Sequence, residues 1–316
     1  MPTAFQTERS GRVLTVRFDN PPRNYMDRNM VRELTELLDS LEGDRSTGSV
    51  ILTGRNDGSF ITHYDVEEIL TGAEGFGVAV SARAAGASMR AVGGIKRLPG
   101  AEAILGRTPA SGMVELKAIH DALLRMNRMD KVFIAAINGS ALAGACELAL
   151  ACDIRYVGAG AGPIGLPEMT LGFCPGAGGT QRLTRAVGTS RALELILEAR
   201  PVSPEEALEI GLVHRVVPDS ELLAQAEATA ERMARRAPIS IAAAKHAVLE
   251  GASKPLADGL AEERRWFLAS CSRPAATRAM RAYIERIEGD GAPDFTDPGA
   301  LSDWREGKVV DLTSGD

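Results

Sequence analysis

Residues 131–158, KVFIAAINGSALAGACELALACDIRYVG, limit the fold more than any other stretch of the chain. The apolar run KVFIAAI predicts a buried strand, the turn NGSALAG leads into a short helix, and IRYVG predicts a further strand. Nearly every residue of that helix is small or apolar, so it must be buried on all sides. Strand, helix and strand in this order call for a layered α/β core. Inside the helix stands Glu147. Taking a carboxylate out of water costs several kcal/mol unless it is paired or hydrogen-bonded. Glu147 is therefore either half of a buried ion pair with an Arg or Lys elsewhere, or a group kept for chemistry.

The rest of the chain extends the same pattern. Residues 12–18, RVLTVRF, alternate as a strand, and two prolines in NPPRNYMD break the alternation. In NMVRELTELLDSLEGD the apolar Val31, Leu34, Leu37, Leu38 and Leu41 recur at helical spacing, with Gly43 as the stop. The strand SVILTG follows, then FITHYD, which sets His63, Tyr64 and Asp65 side by side. Asp65 is placed to fix the turn or to cap a helix over VEEIL. From about 67 to 130 the chain is rich in Gly and Ala, and we expect it to be partly mobile until helix resumes at MVELKAIHDALLRMNRM. Beyond 189 the pattern is mostly helical, with one short strand at LVHRVV. The tail after about 290 is expected to be extended or disordered. Three parts result: a core over 1–205, a helical region over 206–290, and the tail over 291–316.

Composition narrows the function. A formal charge of −6 argues against a general nucleic-acid or anionic-membrane binder. No apolar run approaches 18 residues and the N-terminus lacks a signal-peptide pattern. The four cysteines form no C-x-x-C pair, which fits a reduced, cytoplasmic setting. The four histidines are scattered, so no metal site is expected. The cluster from Gly176 to Gly179 is not followed by Lys-Ser/Thr and fits neither nucleotide-binding motif. No G-x-S-x-G elbow is present.

Two residues besides Glu147 carry chemistry. Gly144 lies at the start of the buried helix, where its N–H has no intrahelical partner. That donor suits a developing oxyanion, although a glycine there also serves a tight turn or close packing. Glu168 follows Pro167 in a Pro- and Gly-rich loop. A lone loop glutamate is usually solvated, but Glu147 and Glu168 together suggest a carboxylate pair that holds a water between them. Cys146 reads as a packed core thiol ahead of an activated one.

The run from Ala135 to Gly188, AAINGSALAGACELALACDIRYVGAGAGPIGLPEMTLGFCPGAGGTQRLTRAVG, closely resembles the central signature of the enoyl-CoA hydratase/isomerase, or crotonase, family. NPPRNYMD, GLVHRVVP and APISIAAAKHAV add to the resemblance, which spans roughly residues 11 to 290. It implies a crotonase-like spiral of strand-strand-helix turns, and C-terminal helices that build homotrimers or homohexamers. It further implies an acyl-CoA thioester as substrate, with no cofactor because coenzyme A is part of that substrate. By motif position, backbone N–H groups of Tyr64 and Gly144 form the oxyanion hole, and Glu147 and Glu168 match the paired glutamates of the hydratases. Arg23 and Asn24 lie in the loop that, by resemblance, runs beside the CoA moiety, and we expect His63, Asp65, Pro167 and Gly176 to take part in substrate binding. The implied reaction is syn addition of water to a 2-enoyl-CoA. Isomerisation, dehydration of a hydroxyacyl-CoA, or acyl-CoA binding without turnover remain as alternatives. The chain departs from the family at Thr62-His63-Tyr64, where small residues are usual, at Ala145, where Gly is usual, and in a longer 67–130 segment.

Overall fold

The computed structural model describes residues 3–55, 58–75, 77–95, 111–290 and 294–314. Its centre is a six-stranded sheet in the order β1-β2-β3-β5-β7-β9: β1 Phe5–Ser10, β2 Val13–Phe18, β3 Ser49–Gly54, β5 Val132–Ile137, β7 Ile154–Gly158 and β9 Arg215–Val217. β1 pairs antiparallel with β2, and every later pair is parallel. β3 and β5 are buried along their whole length. That explains why SVILTG and VFIAAI are continuous apolar runs: both faces of these strands are covered. Val50 and Leu52 face one core cluster, while Ile51 between them faces a second, built on the helix Leu222–Ala234.

A three-stranded sheet, β4-β6-β8, crosses the ends of the first: β4 Gly58–Ile61, β6 Gly139–Leu142 and β8 Ile164–Gly165. The chain therefore winds. Each of β3, β5 and β7 leads into its partner in the small sheet and then into helical structure. The first helices are α1 Arg28–Leu41, α2 Val66–Glu74, α3 Ala82–Ile95, α4 Ser111–Arg128, α5 Gly144–Ala151 and α6 Gly179–Val187. α1 buries Val31, Leu34, Leu38 and Leu41, the stripe expected from their spacing, and Asp27 caps it by accepting the Met30 N–H. Asp65 caps α2 by accepting the Glu67 N–H.

Four expectations need correction. The 67–130 segment carries ordered helix: α3 escaped notice because its Ala-rich sequence is mostly exposed, so good intrinsic helix formers leave no apolar stripe. The part of that segment from 96 to 110 lies outside the described residues. The core does not stop at 205, since β9 joins the large sheet through β7 and the helix Leu222–Ala234 covers its second face. The tail is not wholly extended either. Pro298–Arg305 is a helix with Asp297 as its cap and Pro298 in its first turn, a start signal that the Gly- and Asp-rich composition obscured. Finally, the segment SALAGAC opens as strand β6 before it turns into α5. The remaining C-terminal helices include Leu256–Cys271 and Pro274–Asp290.

Candidate active site

A cavity of about 440 Å³ opens between α2, α4, the β6–α5 turn and the 3-10 turn Glu168–Leu171. His63, Tyr64, Gly144, Glu147, Pro167, Glu168 and Gly176 all line it. Seven residues singled out from four separate parts of the sequence thus meet at one place.

The backbone on its floor is held in an unusual way. Met26 bridges Tyr64: the Met26 N–H donates to the His63 carbonyl at 2.9 Å and the Asp65 N–H donates to the Met26 carbonyl at 2.7 Å. In such a parallel bridge the central residue turns its own N–H away from the partner. Across from it, Ala143 adopts φ 49° and ψ −122°, a conformation rare for any residue with a Cβ. Its N–H donates to the Gly165 carbonyl at 2.9 Å, and its carbonyl accepts the Glu147 N–H at 3.0 Å. Both contacts over-determine the strained turn. Among the described residues neither the Tyr64 N–H nor the Gly144 N–H has an acceptor. The two residues touch: a Cβ on Gly144 would stand 3.2 Å from the Tyr64 Cβ.

Glu147 is 3% exposed, and no Lys or Arg bonds to it among the described residues. Its Oε1 accepts the N–H groups of Ala177 and Gly179, each at 2.7 Å. Gly179 is the first residue of α6, so the carboxylate occupies that helix's N-terminus, where unpaired N–H groups and the dipole favour an anion. A Cβ on Gly179 would lie 2.9 Å from this Oε1 and 2.9 Å from Leu166 Cδ1. The glycine cluster is therefore a cradle for the protein's own carboxylate. Burial raises the Glu147 carboxyl above the ordinary range, opposed by the two N–H donors and by the charges of His120 and Arg182. His120 also holds the cradle from outside, its Nε2 lying 2.5 Å from the Gly176 carbonyl.

Glu168 is 6% exposed, and its Oε2 is buried with no hydrogen-bond partner among the described residues. Burial first, then the negative charge of Glu147, pushes its carboxyl up to about 7. Cys146 is buried and its thiol is raised by burial, so it is an inert core group.

His63 and Tyr64 are both pinned. The His63 ring packs on Tyr25 with centroids 4.4 Å apart, and its Nδ1 lies 2.7 Å from the Tyr64 carbonyl. The Tyr64 phenol donates to Glu68 Oε2 at 3.1 Å. Burial and the charges of Glu68 and Glu115 push that phenol far above its ordinary range. Three anticipated residues lie off the cavity. Asn24 is buried at φ 53°; its amide donates to the Phe60 carbonyl and its Oδ1 accepts the Asn20 N–H at 2.9 Å, so it anchors its loop on β4. Asp65 is spent on the α2 cap. Arg23 is exposed, with its guanidinium 5.8 Å from the Tyr25 ring centre. Sequence reasoning missed Glu68, Glu115 and the Arg28 that bridges them, because they come from three helices and share no local spacing.

The sequence pattern of the enoyl-CoA hydratase/isomerase family matches residues 8–88 and 101–297. The chain is 32% identical over 285 residues to a short-chain-enoyl-CoA hydratase of Clostridium acetobutylicum, covering 90% of this chain and 95% of that one. It is 40% identical over 171 residues to 2,3-dehydroadipyl-CoA hydratase of Escherichia coli, covering 54% of this chain and 65% of that one. Its fold superposes on the crystal structure of an enoyl-CoA hydratase from Bacillus anthracis with a TM-score of 0.71 at 28% identity, over 90% of this chain and 96% of that one. The chain has the crotonase-like fold and belongs to the enoyl-CoA hydratase/isomerase family.

Proposed function

We propose that this protein is an enoyl-CoA hydratase that adds water across the double bond of a 2-enoyl-CoA. The observation that carries the reading is the pair of buried glutamates in one cavity with unequal surroundings. Oε1 of Glu147 accepts two N–H groups, which leaves Oε2 as the oxygen to orient and activate a water toward C3. Glu168, with an Oε2 that has no partner among the described residues and a carboxyl raised to about 7, is suited to hand a proton to C2. The thioester oxygen lies between the N–H groups of Tyr64 and Gly144, which stabilise the enolate; losing one such donor typically costs ~10²–10³ in rate.

Coenzyme A enters as part of the substrate, and the reading asks for no other cofactor. The CoA moiety runs beside the loop of Arg23, off the cavity, where the guanidinium lies 5.8 Å from the Tyr25 ring centre. Pro167 and Gly176 contact the acyl group from the opposite wall. Exposed apolar residues on the C-terminal helices, among them Phe267 and Leu268, support assembly into a homotrimer or homohexamer. Among the described residues no helix is long and apolar enough to cross a membrane.

The test is a panel of 2-enoyl-CoAs followed by loss of the conjugated thioester absorbance. Wild-type protein is expected to hydrate them, and Glu147→Gln and Glu168→Gln to lose most turnover while retaining acyl-CoA affinity. Binding without hydration by the wild type, or full turnover in either variant, overturns the reading.

A further inference from the structure

The cavity wall beyond Tyr64 carries charge that the hydration chemistry does not use. α2 and α4 cross there at their glycines: a Cβ on Gly112 would stand 3.3 Å from the Gly72 Cα. With the backbones this close, the side chains one turn before Gly72 and one turn after Gly112 close the wall, and Glu68 and Glu115 both line it. One cation serves both carboxylates. Arg28 Nη2 lies 2.9 Å from Glu115 Oε1 and Arg28 Nε lies 3.6 Å from Glu68 Oε1. Arg28 itself is about half exposed and lies outside the cavity lining.

Two carboxylates against one guanidinium leave a net negative charge at this wall. Counting Glu147 and Glu168, four glutamates line the cavity, and among the described residues no Lys or Arg does. Most of the other lining residues are apolar or small, including Val66, Ile69, Met113, Leu116 and Ile119. The Glu168 Oε2, buried and without a hydrogen-bond partner among the described residues, is a polar atom that this same cavity leaves for a ligand. Tyr64 connects its two ends, since its backbone adjoins Gly144 while its phenol bonds Glu68. An acyl chain whose thioester sits at Gly144 runs along the Tyr64 side chain toward the acidic wall.

We propose that Glu68 and Glu115 select the acyl group, admitting 2-enoyl chains with an uncharged end and rejecting chains that end in a carboxylate. The proposal rests on the hydration reading for its substrate class, while the charge of the wall does not. Like charges brought together in a partly desolvated pocket cost several kcal/mol, so the discrimination is on the order of 10²-fold in kcat/KM.

The experiment compares hex-2-enoyl-CoA with the same chain ending in a carboxylate, in the wild type and in Glu115→Gln. Glu115 is the cleaner choice, because Glu68 also accepts the Arg28 N–H at 2.9 Å and the Tyr64 phenol. The wild type is expected to favour the uncharged substrate by roughly 10²-fold, and Glu115→Gln to cut that ratio at least tenfold. Glu68→Gln is expected to move the ratio in the same direction if Glu115→Gln fails to fold. Equal use of both substrates by the wild type, or an unchanged ratio in a folded variant, overturns the proposal. If no 2-enoyl-CoA is hydrated, the hydration reading fails separately. Competition between hexanoyl-CoA and adipyl-CoA for binding then reads the wall without turnover: a similar preference for hexanoyl-CoA upholds the proposal, and equal affinity overturns it.

Discussion

The Oε1 atom of Glu147 and the backbone N–H of Gly179 lie 2.7 Å apart, although 32 residues separate them in sequence. This contact joins one turn of the spiral to the next, and the buried carboxylate depends on it for much of its solvation.

Gly179→Ala tests that dependence. The added methyl would overlap Glu147 and Leu166, so either the carboxylate or the start of α6 must shift. Overpacking of this kind costs about 1–3 kcal/mol, and displacement of Glu147, proposed to orient the water, is expected to lower kcat by ~10²-fold. Thermal melting and steady-state hydration kinetics check the two parts; wild-type kcat in this variant would detach the cradle from catalysis.

The pH dependence follows from Glu168. Its carboxyl is raised to about 7 in the folded protein, so the proton that the hydration reading has it donate is present below that pH and lost above it. kcat/KM is expected to fall as pH rises through about 7, a limb absent from the residual activity of Glu168→Gln. Stability carries the same sign. Between about 4.5 and 7 the unfolded chain releases this proton while the folded chain keeps it, so folding weakens as pH rises and the full penalty applies above 7. Glu168→Gln at pH 8 is expected to gain up to about 3 kcal/mol over wild type, measured by denaturant unfolding at pH 5 and pH 8. A gain that is equal at both values would place its cause elsewhere.

Ala143→Gly removes a Cβ from a backbone at φ 49°. Relief of that strain is expected to stabilise the protein by about 1 kcal/mol. Because the strained residue precedes the Gly144 N–H, the same change is expected to loosen its aim and lower kcat with little effect on KM. A melting curve and a kinetic split between kcat and KM decide both points.

Asn24→Ala separates a structural role from a CoA contact. The change leaves the Phe60 carbonyl and the Asn20 N–H without their side-chain partner and puts Ala at φ 53°. A loss of about 2–4 kcal/mol in stability is expected, with acyl-CoA affinity of the folded fraction close to wild type. A large rise in Kd without a loss of stability would return Asn24 to the ligand.

Much of the architecture was legible in the sequence. SVILTG and VFIAAI announce strands covered on both faces, the spacing in α1 gives its buried stripe, and Asp65 marks the start of α2. Glu147 stood out because a carboxylate in an apolar helix needs a reason. What satisfies it did not stand out, since the partners are backbone N–H groups of Ala177 and Gly179, and a backbone donor leaves no side-chain signature beyond tolerance for glycine. Strand β1 escaped for a related reason: all but Phe5 of its residues are exposed, and an exposed edge lacks the apolar alternation that marks a half-buried strand. The Glu68, Glu115 and Arg28 cluster arises only when α1, α2 and α4 pack together, so no window of sequence contains it.

The cradle at Ala177 and Gly179 also has a meaning for the chain while it is still being made. Until the ribosome has released the segment that forms α6, the Glu147 carboxylate lacks the Ala177 and Gly179 donors and must keep its water, so the apolar helix around it is poorly suited to bury. On the hydration reading, the group proposed to activate water therefore takes its place only after the following turn has closed behind it. On this account a truncated or half-wound chain is silent, and turnover itself reports that the spiral is complete.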